Sequence, residues 1–300
     1  MKNIITIIVR LTVACLMAAS VMGLCFIFTS KAKKHNEHVQ EQRVMYELLG
    51  YKGGTKIPDS MAVHEVSRYV VTSGNNQFIA YLVAAKNKEE GYRLVNIDLK
   101  GALLAHKSVA LSATDALDRN LRQKAVELAI GPGHTVNFAD QTIVVTDNGQ
   151  LVAYVLGGKF QGFKTFIHVM LAVDPKFNIL GVEVLEHEED PGLGAEIDQD
   201  YFKNQFKAKP FEALKAIEVI KAPIPDDYLQ ALNGKLSEED VLKFREQYKD
   251  KAIYALTGAT ISTVAVAEGV KGIVTKFAYR INVLDKVLKE HKLAVSFQEN

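Results

Sequence analysis

Three hundred residues, 48% apolar and 24% charged, allow one large domain or two small ones. The 36 Lys and Arg nearly cancel the 35 Asp and Glu, leaving a net charge of +1. The basic residues are scattered and form no stripe, which excludes an electrostatic footprint for nucleic acid.

Residues 11–28 (LTVACLMAASVMGLCFIF) carry no charge, and Ile4 to Val9 extend the apolar run across Arg10. A spanning helix needs about 20 apolar residues, and an arginine near its end can reach the interface. A cleaved signal peptide has a shorter apolar core and a small-residue cleavage site. Residues 1–34 are therefore read as a transmembrane anchor. Lys2 and Arg10 precede the core, and Lys31, Lys33 and Lys34 follow it. That count slightly favours a cytoplasmic body, under a rule that is weak for long translocated domains. Cys15 and Cys25 both lie inside the anchor. The remainder thus has neither a disulfide framework nor a cysteine-ligated metal site.

Residues 35–60 form a juxtamembrane stem, polar with helical spacing to Leu49 and broken by GYKGGTKIPDS. Residues 61–140 read as an α/β extension. Its strands are expected at 77–85 and 92–99, around the turn KNKEEG, and a helix over 112–128 with Ser112 as N-cap. In TIVVTDNGQLVAYVL, Asn148-Gly149 is the preferred type I′ pair between two β-rich arms. Residues 166–187 read as a second antiparallel pair turning at 174–178. Residues 209–251 are a charged, mostly helical insert with Pro210, Pro223 and Pro225 as breaks. Val266, Val270, Ile273, Val274, Phe277, Ile281 and Leu284 then mark one face of a long amphipathic helix. The class is α+β: a twisted antiparallel sheet with flanking helices, following the anchor.

Two stretches carry chemistry. In YALTGATISTVAVAEGV, Thr257, Thr260, Ser262 and Thr263 crowd a helix start behind Gly258. Such hydroxyls serve as ordinary N-caps. The same place, with free amides and a positive dipole end, also suits a phosphate. In LEHEEDPGLGAEI, a strand ends in acidic residues, and Pro191 and two glycines then form a turn that a planar ligand can approach closely. His187, Glu188, Glu189 and Asp190 are adjacent on an extended chain and point in different directions, so no metal site is expected from them.

Together, HEEDPGLG and the downstream TGAT resemble the FMN-binding domain family, whose pattern is His-x-Glu-Thr-Pro-Gly-Leu-Gly followed by Asp-x-x-[Ser/Thr]-Gly-Ala-Thr. The run GVEVLEHEEDPGLGAEID is most similar to the G subunits of Rnf electron-transport complexes. The C subunits of sodium-pumping NADH:quinone oxidoreductases are the sibling group. The likeness covers the anchor, the stem EQRVMYELLGY and residues 142–206. It is weak over 74–140 and 210–250. Two positions depart from the pattern: Tyr254 stands where the family has Asp, and Asp190 where it has Thr.

The resemblance implies FMN joined through a phosphoester to Thr260. Gly258 and Ala259 would leave room for the phosphate and Thr257 would hydrogen-bond it. Pro191, Gly192, Leu193 and Gly194 would lie against the isoalloxazine, with Glu189 and Asp190 beside them. It also implies a flavin transferase using FAD and a divalent metal, since an isolated threonine is a poor nucleophile. The function implied is electron relay, with other membrane subunits, in an Rnf-type ion-translocating ferredoxin:NAD oxidoreductase of the bacterial inner membrane, the body lying outside the cytoplasm. Two other readings of the residues stand beside it: a non-redox FMN-binding membrane module, and a tethered metal hydrolase using HEED.

Overall fold

The computed structural model describes residues 2–51, 53 and 55–298. Lys52 and Gly54, in the break after the stem, lie outside the described residues, as do the side chains of Lys2, Lys31, Lys33 and Lys34. The chain divides into an N-terminal helix up to Glu47 and a compact body from Leu48.

The helix α1 spans Lys2–Leu48 without interruption, so the polar stem continues the apolar segment in one helix. Ile4–Phe26 has a mean hydropathy of 2.3 and is wholly exposed, long and apolar enough to cross a membrane. Its hydroxyls are internally satisfied, as an apolar solvent demands. Thr12 Oγ1 donates to Ile8 O (2.9 Å) and Ser20 Oγ to Leu16 O (2.8 Å).

The body is built on one eight-stranded antiparallel sheet. Its strands are β1 (Met61–Ser73), β2 (Asn76–Ala84), β3 (Tyr92–Asp98), β4 (Leu103–Val109), β5 (Thr135–Asp147), β6 (Gln150–Gln161), β7 (Phe166–Val173) and β8 (Ile179–Glu186). The order β4-β3-β2-β1-β5-β6-β7-β8 makes two four-stranded meanders that meet where β5 pairs with β1. The crossover carries α2 (Ala113–Leu117) and α3 (Arg119–Ile130). The single helix expected over 112–128 is two. Ser112 caps the first as expected, but Asp118 leaves helical geometry (ψ 117°) and its carboxylate accepts from Asn120 N and Leu121 N to start a second. At the β5–β6 turn Asn148 (φ 50°) and Gly149 (φ 79°) are both left-handed, as a type I′ turn requires. Strands β1 and β4 were not expected. The exposed Leu104, His106, Lys107 and Ser108 hide the alternation of β4, the outer strand of its meander.

Besides short 3-10 turns at Lys88–Glu90, Gly194–Asp198 and Asn204–Phe206, the remaining elements are α4 (Asp200–Lys203), α5 (Phe211–Lys215), β9 (Val219–Ile220), α6 (Asp226–Leu232), α7 (Glu238–Tyr248), β10 (Ile253–Tyr254) and α8 (Thr260–Glu290). The insert is helical as expected, except that β9 pairs in parallel with β10.

Strand alternation divides the core. Ala80, Leu82 and Leu94 face a small cluster with Val126 of α3; Tyr81, Val83, Val95 and Ile97 face the large cluster under α8. Every α8 position expected on the apolar face is buried except Ile273, which packs half-buried against that cluster. A Cβ on Gly158 of β6 would lie 2.5 Å from Ile273 Cδ1, and one on Gly269 of α8 would meet the Phe160 ring. These two glycines let α8 lie directly on β6, and that crossing fixes where the first turn of α8 sits.

Candidate functional site

The first turn of α8 uses its hydroxyls unequally. Ala259 is the N-cap residue (φ −131°, ψ 41°), with no side-chain cap bond. Thr263, fully buried, instead ties the preceding turn to the helix: its Oγ1 accepts from Leu256 N (3.1 Å) and donates to Ala259 O (3.0 Å). Ser262, also buried, donates its hydroxyl to Glu189 Oε2. Thr257 remains exposed and Thr260, the first helical residue, half-exposed. The first intrahelical bond is Thr263 N to Ala259 O (3.1 Å). The amides of Thr260, Ile261 and Ser262 precede it and have no acceptor within the helix.

The acidic loop folds onto this turn. Glu189 is 4% exposed. One carboxylate oxygen takes the Ser262 hydroxyl, and the other takes the backbone N–H of Lys164 (3.1 Å) in the β6–β7 turn. Gly162 in that turn and Gly194 in the loop are the small residues that seat it. A Cβ would stand 2.5 Å from Glu189 Oε1 at Gly162 and 2.9 Å from Oε2 at Gly194. Leu193 reaches the other motif, its Cδ2 lying 2.9 Å from a Cβ built on Gly258, where φ is +74°. Gly192 also has positive φ (+73°), but nothing lies within 4 Å of its Cβ position. The loop is closed by Leu193 N and Ala195 N, both donating to Asp190 O (3.1 and 3.0 Å).

Asp190 pairs through its side chain with Lys164 Nζ, and that hydrogen bond holds the lysine above its ordinary pKa. His187 Nδ1 accepts from Glu189 N (3.2 Å), which leaves Nε2 to carry the proton toward Asp198 (3.7 Å). The side chains of HEED therefore do not converge: His187 faces Asp198, Glu189 and Asp190 hold the backbone and side chain of Lys164, and Glu188 is exposed. Among the described residues, no group of three or more His, Cys, Asp or Glu is placed to hold a metal ion.

All ten positions singled out from the sequence thus fall in two touching loops, 189–194 and 257–260. Lys164 and Gly162 were missed, and Ser262, named at the helix start, was given no partner, because nothing local in GKFQGFKTF or ATIST points across 25 or 73 residues to Glu189. Apolar side chains are left in the open around the junction: Phe163 (56% exposed), Leu193 (46%) and Ile261 (61%).

Tyr254 lies just outside this junction. Its N–H donates to Gln205 Oε1 (2.8 Å) and its carbonyl accepts from Gln205 Nε2 (3.3 Å). Its ring joins an aromatic group supplied by the insert: Tyr228 and Tyr248 stack at 3.8 Å and 6°, and Tyr254 lies 6.2 and 6.5 Å from them.

Residues 162–275 match the FMN-binding domain. The chain is a distant homologue of subunits of ion-translocating oxidoreductases. It is 30% identical over 136 residues to the G subunit of the proton-translocating ferredoxin:NAD(+) oxidoreductase complex of Clostridium ljungdahlii, a match covering 45% of this chain and 59% of that protein. The G subunit of the ion-translocating oxidoreductase complex of Methanosarcina acetivorans is 27% identical, covering 41% and 50%. The C subunit of the Na(+)-translocating NADH-quinone reductase of Yersinia pestis is 25% identical, also covering 41% and 50%. The matches thus span about half the length of these relatives. The crystal structure of Shewanella oneidensis NqrC aligns over 71% of this chain and 77% of that one, with 17% identity and a TM-score of 0.37.

Proposed function

We propose that this chain is a membrane-anchored flavoprotein subunit that relays electrons through FMN esterified to Thr260, within an Rnf-type ion-translocating ferredoxin:NAD oxidoreductase complex. One observation carries the assignment of the ester. Of the four hydroxyls at the helix start, Ser262 and Thr263 are buried and engaged, so only Thr257 and Thr260 can meet a flavin donor. Thr260 stands at the first helical position, beside three amides without helical acceptors, where a phosphate is stabilised. It is also the residue that the family pattern places in the ester.

The residues present fit this cofactor. Gly192 is open on its Cβ side, Leu193 lies across Gly258, and the surrounding apolar side chains offer a surface for a planar ring. FMN supplies the redox chemistry; the protein's part is to place it and set its surroundings. Thr260 would donate the attacking oxygen. Its Oγ1 would form the ester to the phosphorus of the FMN half of FAD in place of the AMP half, which would leave as AMP, with the threonine proton lost to solvent and no change of oxidation state. Glu189 is committed to Ser262 and Lys164 and supplies no free base, in keeping with a separate transferase that uses FAD and a divalent metal.

The apolar Ile4–Phe26 segment would anchor the chain in the bacterial cytoplasmic membrane, with the body on the outer face and the other membrane subunits as partners. The names of the relatives support the complex, and the 30% match favours a G-type over a C-type subunit.

The test is direct. Chain produced with its transferase should give a flavin-fluorescent band on a denaturing gel and FMN mass on the peptide holding Thr260. Thr260→Ala should remove both. A surviving band in that variant refutes the ester site, and a dark wild-type band refutes covalent attachment.

A further inference from the structure

The buried carboxylate of Glu189 touches three separate pieces of chain. Oε2 holds the Ser262 hydroxyl on α8, Oε1 holds the Lys164 amide in the β6–β7 turn, and the two oxygens fill the space that side chains on Gly162 and Gly194 would need. The side chain it bonds, Ser262, is neutral; the ammonium of Lys164 pairs with Asp190 and acts on Glu189 only through space. A carboxyl group taken out of water is costly to bury unless it is hydrogen-bonded, and these two bonds meet that need. Ser262 lies two positions after Thr260 on the first turn of a 31-residue helix.

We infer that Glu189 is a positioning residue for flavin attachment, fastening the 191–194 loop and the β6–β7 turn to the first turn of α8, and acting on Thr260 through Ser262. This rests on the assignment of Thr260 as acceptor. It gives Glu189 a different part from direct contact with flavin: its oxygens face inward, and the residue is 4% exposed. The fastening has two ends. If either is lost, the acceptor turn and the glycine loop keep only their packing contacts, Leu193 against Gly258 among them, and are held less firmly. An acceptor hydroxyl that wanders by about an ångström loses up to about a hundredfold in transfer rate.

The experiment uses the full chain in four forms: wild type, Glu189→Gln, Ser262→Ala and the double variant. Glutamine keeps the shape but presents an amide NH2 to one of the two donors. Hydrogen exchange on the flavin-free chain should show the amides of Lys164 and of 193–195 exchanging at least about tenfold faster in each single variant, since a bond to a charged group is lost. With the purified transferase, FAD and Mg2+, the kcat for FMN incorporation should fall about tenfold with KM for the chain unchanged, a split expected of misplacement rather than lost docking. The double variant should be no slower than either single, because both remove one joint.

Wild-type incorporation rates in the single variants overturn the inference, and so does a rise confined to KM. Additive losses in the double variant overturn it too, since two independent contributions are not one joint. A wild-type chain that accepts no flavin defeats the acceptor assignment instead. The exchange data then decide the fastening alone: faster exchange in the variants keeps it, and unchanged exchange removes it.

Discussion

Leu193 Cδ2 lies 2.9 Å from the point where a side chain on Gly258 would begin, so the two glycine motifs meet through one leucine. Gly258→Ala therefore carries two penalties: a left-handed residue at φ +74°, and a methyl pushed into Leu193. The expected loss is about 1–2 kcal/mol, read as a lowered unfolding midpoint in urea. Leu193→Ala in the same background should recover part of it by making room. No recovery would mean that the cost lies in the backbone alone.

Gly192 and Gly194 should behave differently, although the sequence presents them as a pair. Gly192→Ala meets nothing within 4 Å and loses only the strain of positive φ, about 1 kcal/mol. Its signature should be in the flavin, as a shifted spectrum or midpoint potential in a folded chain. Gly194→Ala drives a methyl to 2.8 Å from Ser262 Oγ and 2.9 Å from Glu189 Oε2, so it should destabilise the flavin-free chain. Equal unfolding midpoints for the two variants would show that Gly194 has slack that its neighbours do not suggest.

That contrast marks what was legible in the sequence. The hairpin at Asn148-Gly149, the second pair around Asp174 and the apolar face of α8 follow from local rules, and the structure has them. The two motifs were visible because their glycines and hydroxyls cluster. Invisible were the contacts that join distant segments: Ser262 to Glu189, Lys164 to both acidic residues, and Thr263 back to Leu256. Side-chain bonds across a fold leave no periodicity. Strand β1 was missed for a different reason: its first five residues are exposed or half-buried in no alternating order, and alternation sets in only from Ser67 onward.

Lys209 gives a pH-dependent prediction. Its side chain is buried, with Nζ donating to Lys249 O (3.2 Å) and Lys251 O (2.5 Å) beyond the end of α7. Burial lowers its pKa to about 8. Between that value and the unfolded lysine's ~10.4, the unfolded chain binds the extra proton, so stability rises with pH across this window. The burial cost is fully present below pH ~8 and relieved above ~10.4, at most about 3 kcal/mol. A neutral amine still has two protons for the two carbonyls. Wild type should therefore gain stability over Lys209→Met on going from pH 7.5 to 10. A constant difference between them would show that the lysine stays charged throughout.

Topology is tested with a protease added to cells whose outer envelope has been opened. The body after Lys34 should be cut, while the Ile4–Phe26 segment stays with the membrane. Complete protection would place the body in the cytoplasm, as the charge count alone suggests.

Tyr254 is one of the two positions where this chain departs from the FMN-binding pattern it resembles, and the insert supplies the physical reason. Tyr228 of α6 and Tyr248 of α7 stack on one another and border the Tyr254 ring, so an aromatic residue completes a cluster that an aspartate would interrupt. Tyr254→Phe keeps the ring and should be nearly neutral. Tyr254→Asp puts a carboxylate beside the two remaining rings and should cost about 1–3 kcal/mol, with faster proteolysis within 226–248 as the insert loosens. The backbone is held separately, since Gln205 bonds both the N–H and the carbonyl of residue 254, so the strand and the turn that follows should survive. The same substitution restores the family's carboxylate six residues before the acceptor. That group would suit a divalent metal near the incoming phosphate, because hard cations prefer oxygen anions. With a foreign transferase, FMN incorporation per folded molecule should therefore rise in Tyr254→Asp and stay at the wild-type level in Tyr254→Phe. A rise in both would mean that the tyrosine hydroxyl, and not the missing charge, limits labelling. Lower labelling in folded Tyr254→Asp would mean that this chain's transferase recognises the intact aromatic insert rather than a carboxylate.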